Sequence, residues 1–146
     1  MPDRVKDACV ACFDAHADDC SGFACAVAAQ LGIALNGLAN DIVDTIRGGG
    51  PWTMLADGIA ASQQAAAGKF VIGGLKGSEQ AQPDPHGHVV VVVAGEPLAH
   101  GKYPFAYWGR LGGGGQKDQT VNWAWTVADR AKVTYATHDI APAGTG

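Results

Sequence analysis

The sequence predicts an α+β fold in which helices come first and antiparallel strands follow. In the first half of the chain apolar residues recur at helical spacing, and in the second half short apolar runs are separated by turns rich in Gly and Pro. No internal repeat or domain linker interrupts the 146 residues, a length suited to one domain with a substantial core. We therefore expect a single domain spanning residues 1–146.

Four helices are expected in the first half, each bounded by a capping or breaking residue. Asp18 and Asp19 supply the N-cap of the second helix, and Gly32 ends it. Two apolar stripes should face the core: Val5, Cys9, Cys12 and Phe13 in the first helix, and Phe23, Val27 and Leu31 in the second. The four predicted helices cover Asp3–His16, Cys20–Leu31, Leu38–Arg47 and Met54–Ala67.

In the second half of the chain the short apolar runs predict strands. His88–Ala94 is apolar at every position after the histidine, so this strand should be central and covered on both faces. Gly112–Gly115 is a flexible loop, and it lacks the Gly-Lys-Ser/Thr ending of a phosphate-binding loop. The other predicted strands are Lys69–Leu75, Tyr103–Arg110 and Val133–His138.

Charge and hydropathy exclude several functions. Fourteen acidic against ten basic side chains give a net charge of −4, which disfavours a nucleic-acid binder. No apolar run has the length needed to span a bilayer. The segment Met1–Asp7 has no features of a secretory signal peptide, so we expect synthesis in the cytoplasm and any export by a route without a cleavable leader.

The four cysteines lie close together, at Cys9, Cys12, Cys20 and Cys25. A zinc site is conceivable, but structural zinc usually needs two Cys-x2-4-Cys knuckles, and the second pair falls in an apolar helical run. A disulfide between Cys9 and Cys12 within one helix has poor geometry. We expect Cys9, Cys12 and Cys25 to be small apolar residues on packed helix faces, with no metal or organic cofactor.

Cys20 has the position of a nucleophile. It begins a helix, where free N–H groups and the helix dipole favour a thiolate. Gly22 is unfavourable in a first helical turn by about 1 kcal/mol relative to Ala, and close approach of a substrate backbone would explain it. The N–H of Cys20 and that of a neighbour such as Ser21 or Gly22 could then bind an oxyanion.

His88 is the candidate general base, because the first position of a buried strand fixes its direction while leaving it near the surface. His86 is a rival in the Pro-rich loop just before this strand. The remaining histidines, His16, His100 and His138, lie near element ends and are expected to be spectators. The side chains of the adjacent residues Asp18 and Asp19 point in different directions, so they do not indicate a carboxylate pair of the glycosidase type. Trp123 and Trp125 are not assigned a role, although one of them could line a cleft.

Several motifs resemble known families. Asp19–Phe23 followed by Gly87–Val93 is similar to the paired Cys and His motifs of the NlpC/P60 cysteine peptidases. Further segments narrow the resemblance to the first family of type VI secretion amidase effectors. These segments are Cys20–Phe23 with Val27–Gly32, Gln64–Gly68, Val71–Gly77, Gly87–Val89 and Lys102–Pro104.

The resemblance implies a papain-like core with N-terminal helices packed on a small antiparallel sheet. It implies a toxin that one bacterium secretes through a type VI system into the periplasm of another, with a cognate immunity protein in the producer. Family members cleave peptidoglycan stem peptides between γ-linked D-glutamate and meso-diaminopimelate. By this resemblance Cys20 is the nucleophile and His88 the base.

Two features stay open. The strand after the histidine carries no His, Asn or Asp to orient the ring, so either the hydroxyl of Tyr107 or a backbone carbonyl at Tyr107 or Trp108 would do so. Because the stem peptide is rich in carboxylates, Lys76, Lys102 or Arg110 is expected near the cleft. Alternative functions are another thiol acyl-transfer enzyme, such as a transpeptidase or a transglutaminase-like protein, and a non-catalytic module that binds cell wall or an immunity protein.

Overall fold

A six-stranded antiparallel sheet organises the computed structural model, which describes residues 3–141. The strand order is β1-β6-β2-β3-β4-β5, which places β2 and β3 in the middle. The predicted α+β class is confirmed. The strands are β1 (Trp52–Leu55), β2 (Phe70–Leu75), β3 (His88–Val93), β4 (Phe105–Trp108), β5 (Gln116–Thr120) and β6 (Thr134–His138).

Helices cover both faces of the sheet. One face packs against α1 (Arg4–His16), α2 (Cys20–Gln30) and α3 (Ala39–Arg47). The other face packs against α4 (Gly58–Ala66) and the segment after β5, which contains the short helix α5 (Val127–Arg130). Within residues 3–141, no helix has the length and apolar character needed to cross a membrane.

Strand β3 is buried at every position. Val89, Val91 and Val93 belong to the core under α1–α3, whereas Val90 and Val92 belong to the core on the opposite face. This confirms the prediction of a central strand covered on both sides. Because side chains alternate along a strand, His88 shares its face with Val90 and Val92.

The first two helices also follow the sequence pattern. The carboxylate of Asp3 caps α1 by accepting a hydrogen bond from the N–H of Lys6, and Asp19 caps α2. The predicted core stripes are confirmed, since all seven of their residues are buried. Cys9 and Cys12 are therefore packing residues, and Cys25 packs half-buried against the same core.

One predicted element is wrong, and one strand was not predicted. The segment Met54–Ala67 is not one helix: its start belongs to β1, which pairs with β6, and α4 begins only after Asp57. The carboxylate of Asp57 caps α4 by accepting a hydrogen bond of 2.9 Å from the N–H of Ala60. Strand β5 was not predicted, because it is a polar edge strand with little apolar alternation.

Candidate active site

A cleft of about 560 Å³ opens where the N-terminus of α2, the start of β3 and the segment after β5 meet. It brings together Cys20 and His88, which are far apart in the sequence. Ser21, the rival base His86, and Arg110 also line it, as does Trp125. Gly22 lies behind Ser21 in the first turn of α2 and does not line the cleft.

The first turn of α2 is held by Asp19. Its Oδ1 accepts hydrogen bonds from the backbone N–H of Gly22 and from the Ser21 hydroxyl, each at 3.0 Å. A β-carbon at position 22 would overlap the same carboxylate. Lys6 and Ala60 occupy the same position behind the caps Asp3 and Asp57, so an aspartate cap by itself does not require glycine at position 22.

The Cys20 thiol is half-buried. Burial, together with the negative charge of Asp19, raises the pKa of this thiol above the ordinary value. Backbone hydrogen bonding from Val89 and Ser21 and the charge of Arg110 partly oppose this effect. The helix N-terminus was expected to favour a thiolate, and burial outweighs it. In the free protein Cys20 is therefore a neutral thiol at neutral pH.

His88 is buried, with 8% of its surface exposed. Burial, with a smaller contribution from the positive charge of Arg110, lowers its pKa to about 3. The imidazole is therefore neutral at pH 7, and in the free protein it is a weak base. Its Nε2 atom is buried and has no hydrogen-bond partner among residues 3–141.

Two tryptophans flank the His88 ring. Trp125 meets it edge-on with ring centroids 5.3 Å apart, and Trp108 does so at 6.3 Å. Trp125 lines the cleft, whereas Trp123 is 69% exposed. The sequence offered only a weak signal for this contact, namely two tryptophans at alternate positions.

The expected ring-orienting groups are placed differently. Tyr107 pairs with Val91 and packs in the core under α1–α3, on the opposite face of the sheet from His88. Its hydroxyl therefore does not orient the imidazole, and that alternative is wrong. Trp108 touches His88 through its indole ring, and no backbone carbonyl of Tyr107 or Trp108 pairs with the imidazole.

Asn40, in the first turn of α3, holds the loop that leads to His88. Its Nδ2 donates to the carbonyl of Pro85 at 3.1 Å, and its Oδ1 accepts from the N–H of Gly77 at 3.0 Å. A β-carbon at Gly77 would overlap the carbonyl oxygen of Asp84. The chain before β3 is thus packed too closely for a side chain at this position, which accounts for one glycine of the Val71–Gly77 motif.

Of the three cations expected near the cleft, Arg110 lines it. Lys76 forms an ion pair with Asp44 at 2.5 Å, and Lys102 lies over the Tyr103 ring, 5.4 Å from its centroid. Neither lysine is a lining residue. Across residues 3–141, no group of three or more His, Cys, Asp or Glu side chains is arranged to hold a metal, and the four cysteines are free thiols.

A helix-terminal cysteine and a neutral buried histidine in one cleft are the groups that a thiol-dependent hydrolase requires. No protein-family model matches the chain. The sequence is 40% identical over 128 residues to the peptidoglycan amidase Tse1 of Pseudomonas aeruginosa, an alignment that covers 85% of this chain and 77% of Tse1. The chain therefore belongs to the family of type VI secretion amidase effectors whose motifs it carries.

Proposed function

We propose that this protein is a cysteine amidase that hydrolyses the bond between γ-linked D-glutamate and meso-diaminopimelate in peptidoglycan stem peptides. The observation that carries the proposal is the cleft shared by Cys20 and His88, in a chain 40% identical to a peptidoglycan amidase. His88 is neutral at pH 7, as a proton acceptor must be, and its pKa of about 3 means that the bound substrate has to favour its protonated form during the reaction.

In the proposed reaction, His88 takes the proton of the Cys20 thiol as the sulfur attacks the amide carbonyl carbon. The resulting oxyanion is bound by N–H groups at the start of α2, those of Cys20 and of Ser21 or Gly22, and each donor is worth about 2.7 to 4 kcal/mol in comparable sites. His88 then gives its proton to the leaving amine as the C–N bond breaks. Water hydrolyses the thioester and restores the thiol.

In this proposal the proton transfer accompanies the attack itself. Because burial raises the pKa of Cys20 and lowers that of His88, the free protein holds a thiol and an imidazole rather than a thiolate and an imidazolium. The activation of Cys20 then depends on a substrate placed against it. The backbone hydrogen bonds from Val89 and Ser21 stabilise the sulfur as negative charge develops on it.

The fold is compatible with a papain-like NlpC/P60 core in a single domain spanning residues 1–146. Its arrangement, with the cysteine on the N-terminal helix layer and the histidine at the start of a central strand, supports this assignment. The biological setting follows from the family. The protein would leave the producer through a type VI secretion system, act in the recipient periplasm, and be neutralised in the producer by a cognate immunity protein.

Digestion of purified sacculi tests the proposal. Wild-type protein should release fragments that end in γ-D-glutamate and fragments that begin with diaminopimelate, identified by mass spectrometry. Cys20→Ala should release none, whereas Cys25→Ala, which removes a half-buried thiol from the same helix, should act like wild type. Fragments cut elsewhere, for instance between the sugar and L-alanine, would overturn the assigned bond, and full activity of Cys20→Ala would overturn the nucleophile.

A further inference from the structure

Arg110 is held rigidly beside the candidate catalytic pair. Its backbone N–H donates to the carbonyl of Ala17 at 3.0 Å, in the turn just before Cys20, and its Nη2 donates to the carbonyl of Ala124 at 2.7 Å. The preceding Gly109 packs so closely on the Asp19 backbone that a β-carbon would overlap it. Arg110 is thus held at the rim of the cleft by its backbone and by one N–H of its guanidinium.

The positive charge of Arg110 has no ionic partner. Within residues 3–141 it forms no salt bridge, and its guanidinium makes a single hydrogen bond, so its remaining N–H donors have no protein acceptor. An arginine in such a position is suited to bind a carboxylate through two parallel hydrogen bonds.

The carboxylates that line the cleft are already engaged. Asp19 caps α2, Asp84 accepts a 2.8 Å hydrogen bond from the N–H of His86, and Asp129 accepts one of 2.8 Å from the N–H of Ala81. Each accepts a hydrogen bond within the protein, and within residues 3–141 none of the three forms a salt bridge with Arg110. The charge of Arg110 is left available for a ligand.

The charge of Arg110 also reaches both candidate catalytic groups, because it lowers the pKa of Cys20 and that of His88. Because Arg110 lines the same cleft as Cys20 and His88, an anion bound to Arg110 would lie in the cleft that the scissile amide has to enter. In a γ-glutamyl linkage, the free α-carboxylate is separated from the scissile carbonyl by only the glutamyl side chain. Diaminopimelate brings a second carboxylate on the leaving side.

We propose that Arg110 is an anion subsite that binds a free carboxylate of the stem peptide next to the scissile bond and makes the enzyme selective for the acid over the amidated form. This inference rests on the proposed function for the identity of the peptide. It assigns to Arg110 a role in binding and specificity, separate from the proton transfers of Cys20 and His88.

The test compares three synthetic stem peptides: one with both carboxylates free, one with the glutamyl α-carboxylate converted to a carboxamide, and one with the diaminopimelyl carboxylate so converted. Wild-type kcat/KM should fall about 10- to 100-fold for one of the two amides. Arg110→Gln should cleave the acid as slowly as wild type cleaves that amide, and should show no further loss on it. Arg110→Lys, which keeps the charge without the planar fork, should retain part of the preference.

Lys102→Gln is the matched control, because it removes the same charge from an exposed side chain outside the cleft and should keep the wild-type preference. Near wild-type cleavage of the critical amide by Arg110→Gln shows that this variant is folded. Equal acid-to-amide ratios in wild type and Arg110→Gln for both amides would overturn the subsite.

Binding measurements test the Arg110 subsite independently of the proposed function. Calorimetry with Cys20→Ala protein should show weaker binding of the same amide, and the preference should vanish in Cys20→Ala/Arg110→Gln. That result supports the subsite even if wild type cleaves a different bond. Equal affinity of Cys20→Ala protein for all three peptides would contradict it even if wild type cleaves as proposed.

Discussion

The backbone of Val89 lies near the sulfur of Cys20 and lowers the pKa of its thiol, and Val89 directly follows His88 in strand β3. The start of helix α2 therefore lies against the start of β3, and the two residues that the proposed chemistry needs line one cleft there. Because Val89 is fully buried under the helices, this junction is part of the core rather than a loop contact. The geometry of the candidate site is thus set by the packing of the fold.

The reactivity of Cys20 should depend steeply on pH. Because burial raises the pKa of this thiol, the thiolate fraction in the free protein is small at pH 7 and grows about tenfold with each pH unit below the pKa. Iodoacetamide labelling of Cys20, followed by peptide mapping, should therefore accelerate continuously from pH 6 to pH 9. A labelling rate that stays constant between pH 5 and pH 7 would reveal a preformed thiolate–imidazolium pair and contradict the neutral resting state.

His88 should make the protein sensitive to acid. Its pKa is about 3 in the folded protein against an ordinary value of 6.5, so between these values the unfolded chain binds a proton that the folded chain does not. This contribution to stability is complete above pH 6.5 and is lost as pH falls toward 3. Between pH 7 and pH 5 wild type should lose about 2 kcal/mol more unfolding free energy than His88→Gln. Urea unfolding of both proteins at the two pH values measures this, and identical losses would show that His88 is not buried in its neutral form.

Gly77→Ala should disturb the loop that leads to His88. The added β-carbon would overlap the Asp84 carbonyl and lie 2.7 Å from that of His86, so the loop must shift. We expect a loss of about 1 to 3 kcal/mol in unfolding free energy, together with reduced amidase activity.

Gly48→Ala is the control for this substitution. Its β-carbon would lie 3.3 Å from the Asp44 carbonyl oxygen, and its φ of −79° is open to any residue, so only a small effect is expected. Thermal denaturation and sacculus digestion compare the two variants. Equal stability and activity of Gly77→Ala and Gly48→Ala would mean that the close packing of this loop is unimportant.

Trp125 should position His88 for catalysis. The rings of Trp125 and His88 meet edge-on with their centroids 5.3 Å apart, and we expect this contact to hold the imidazole in place of the polar group that usually orients a catalytic histidine. Trp125→Ala should therefore lower kcat about 10²-fold, and Trp125→Phe should recover most of it. Steady-state kinetics on a stem peptide measure kcat and KM separately. A change in KM alone, with kcat intact in Trp125→Ala, would show that the indole contacts substrate instead of holding the imidazole.

Local sequence signals were sufficient to predict an element where its apolar pattern matches the residues that it buries in the core. Helix α2 follows from Asp19 as a cap and from the apolar stripe behind Cys20, and β3 follows from its continuous run of valines. Both elements that carry the catalytic candidates were therefore predictable. The resemblance of short motifs then paired Cys20 with His88, which no local pattern does.

The features that were not predictable from the sequence depend on tertiary contacts. Strand β1 is defined by its pairing with β6, and the polar strand β5 by its pairing with β4, so neither shows an apolar period of its own. The position of Tyr107 on the far face of the sheet follows from the register of β4 against β3. The contact of Trp125 with His88 depends on how the segment after β5 folds over the sheet, which residue spacing alone does not specify.

Trapping the acyl-enzyme tests the central claim most directly. Wild-type protein mixed with a stem peptide and quenched in acid within milliseconds should gain the mass of the acyl fragment, and peptide mapping should place the thioester on Cys20. His88→Gln should form this species about 10² to 10⁴ times more slowly. An acyl group found on another residue, or rapid hydrolysis by Cys20→Ala protein, would contradict the account.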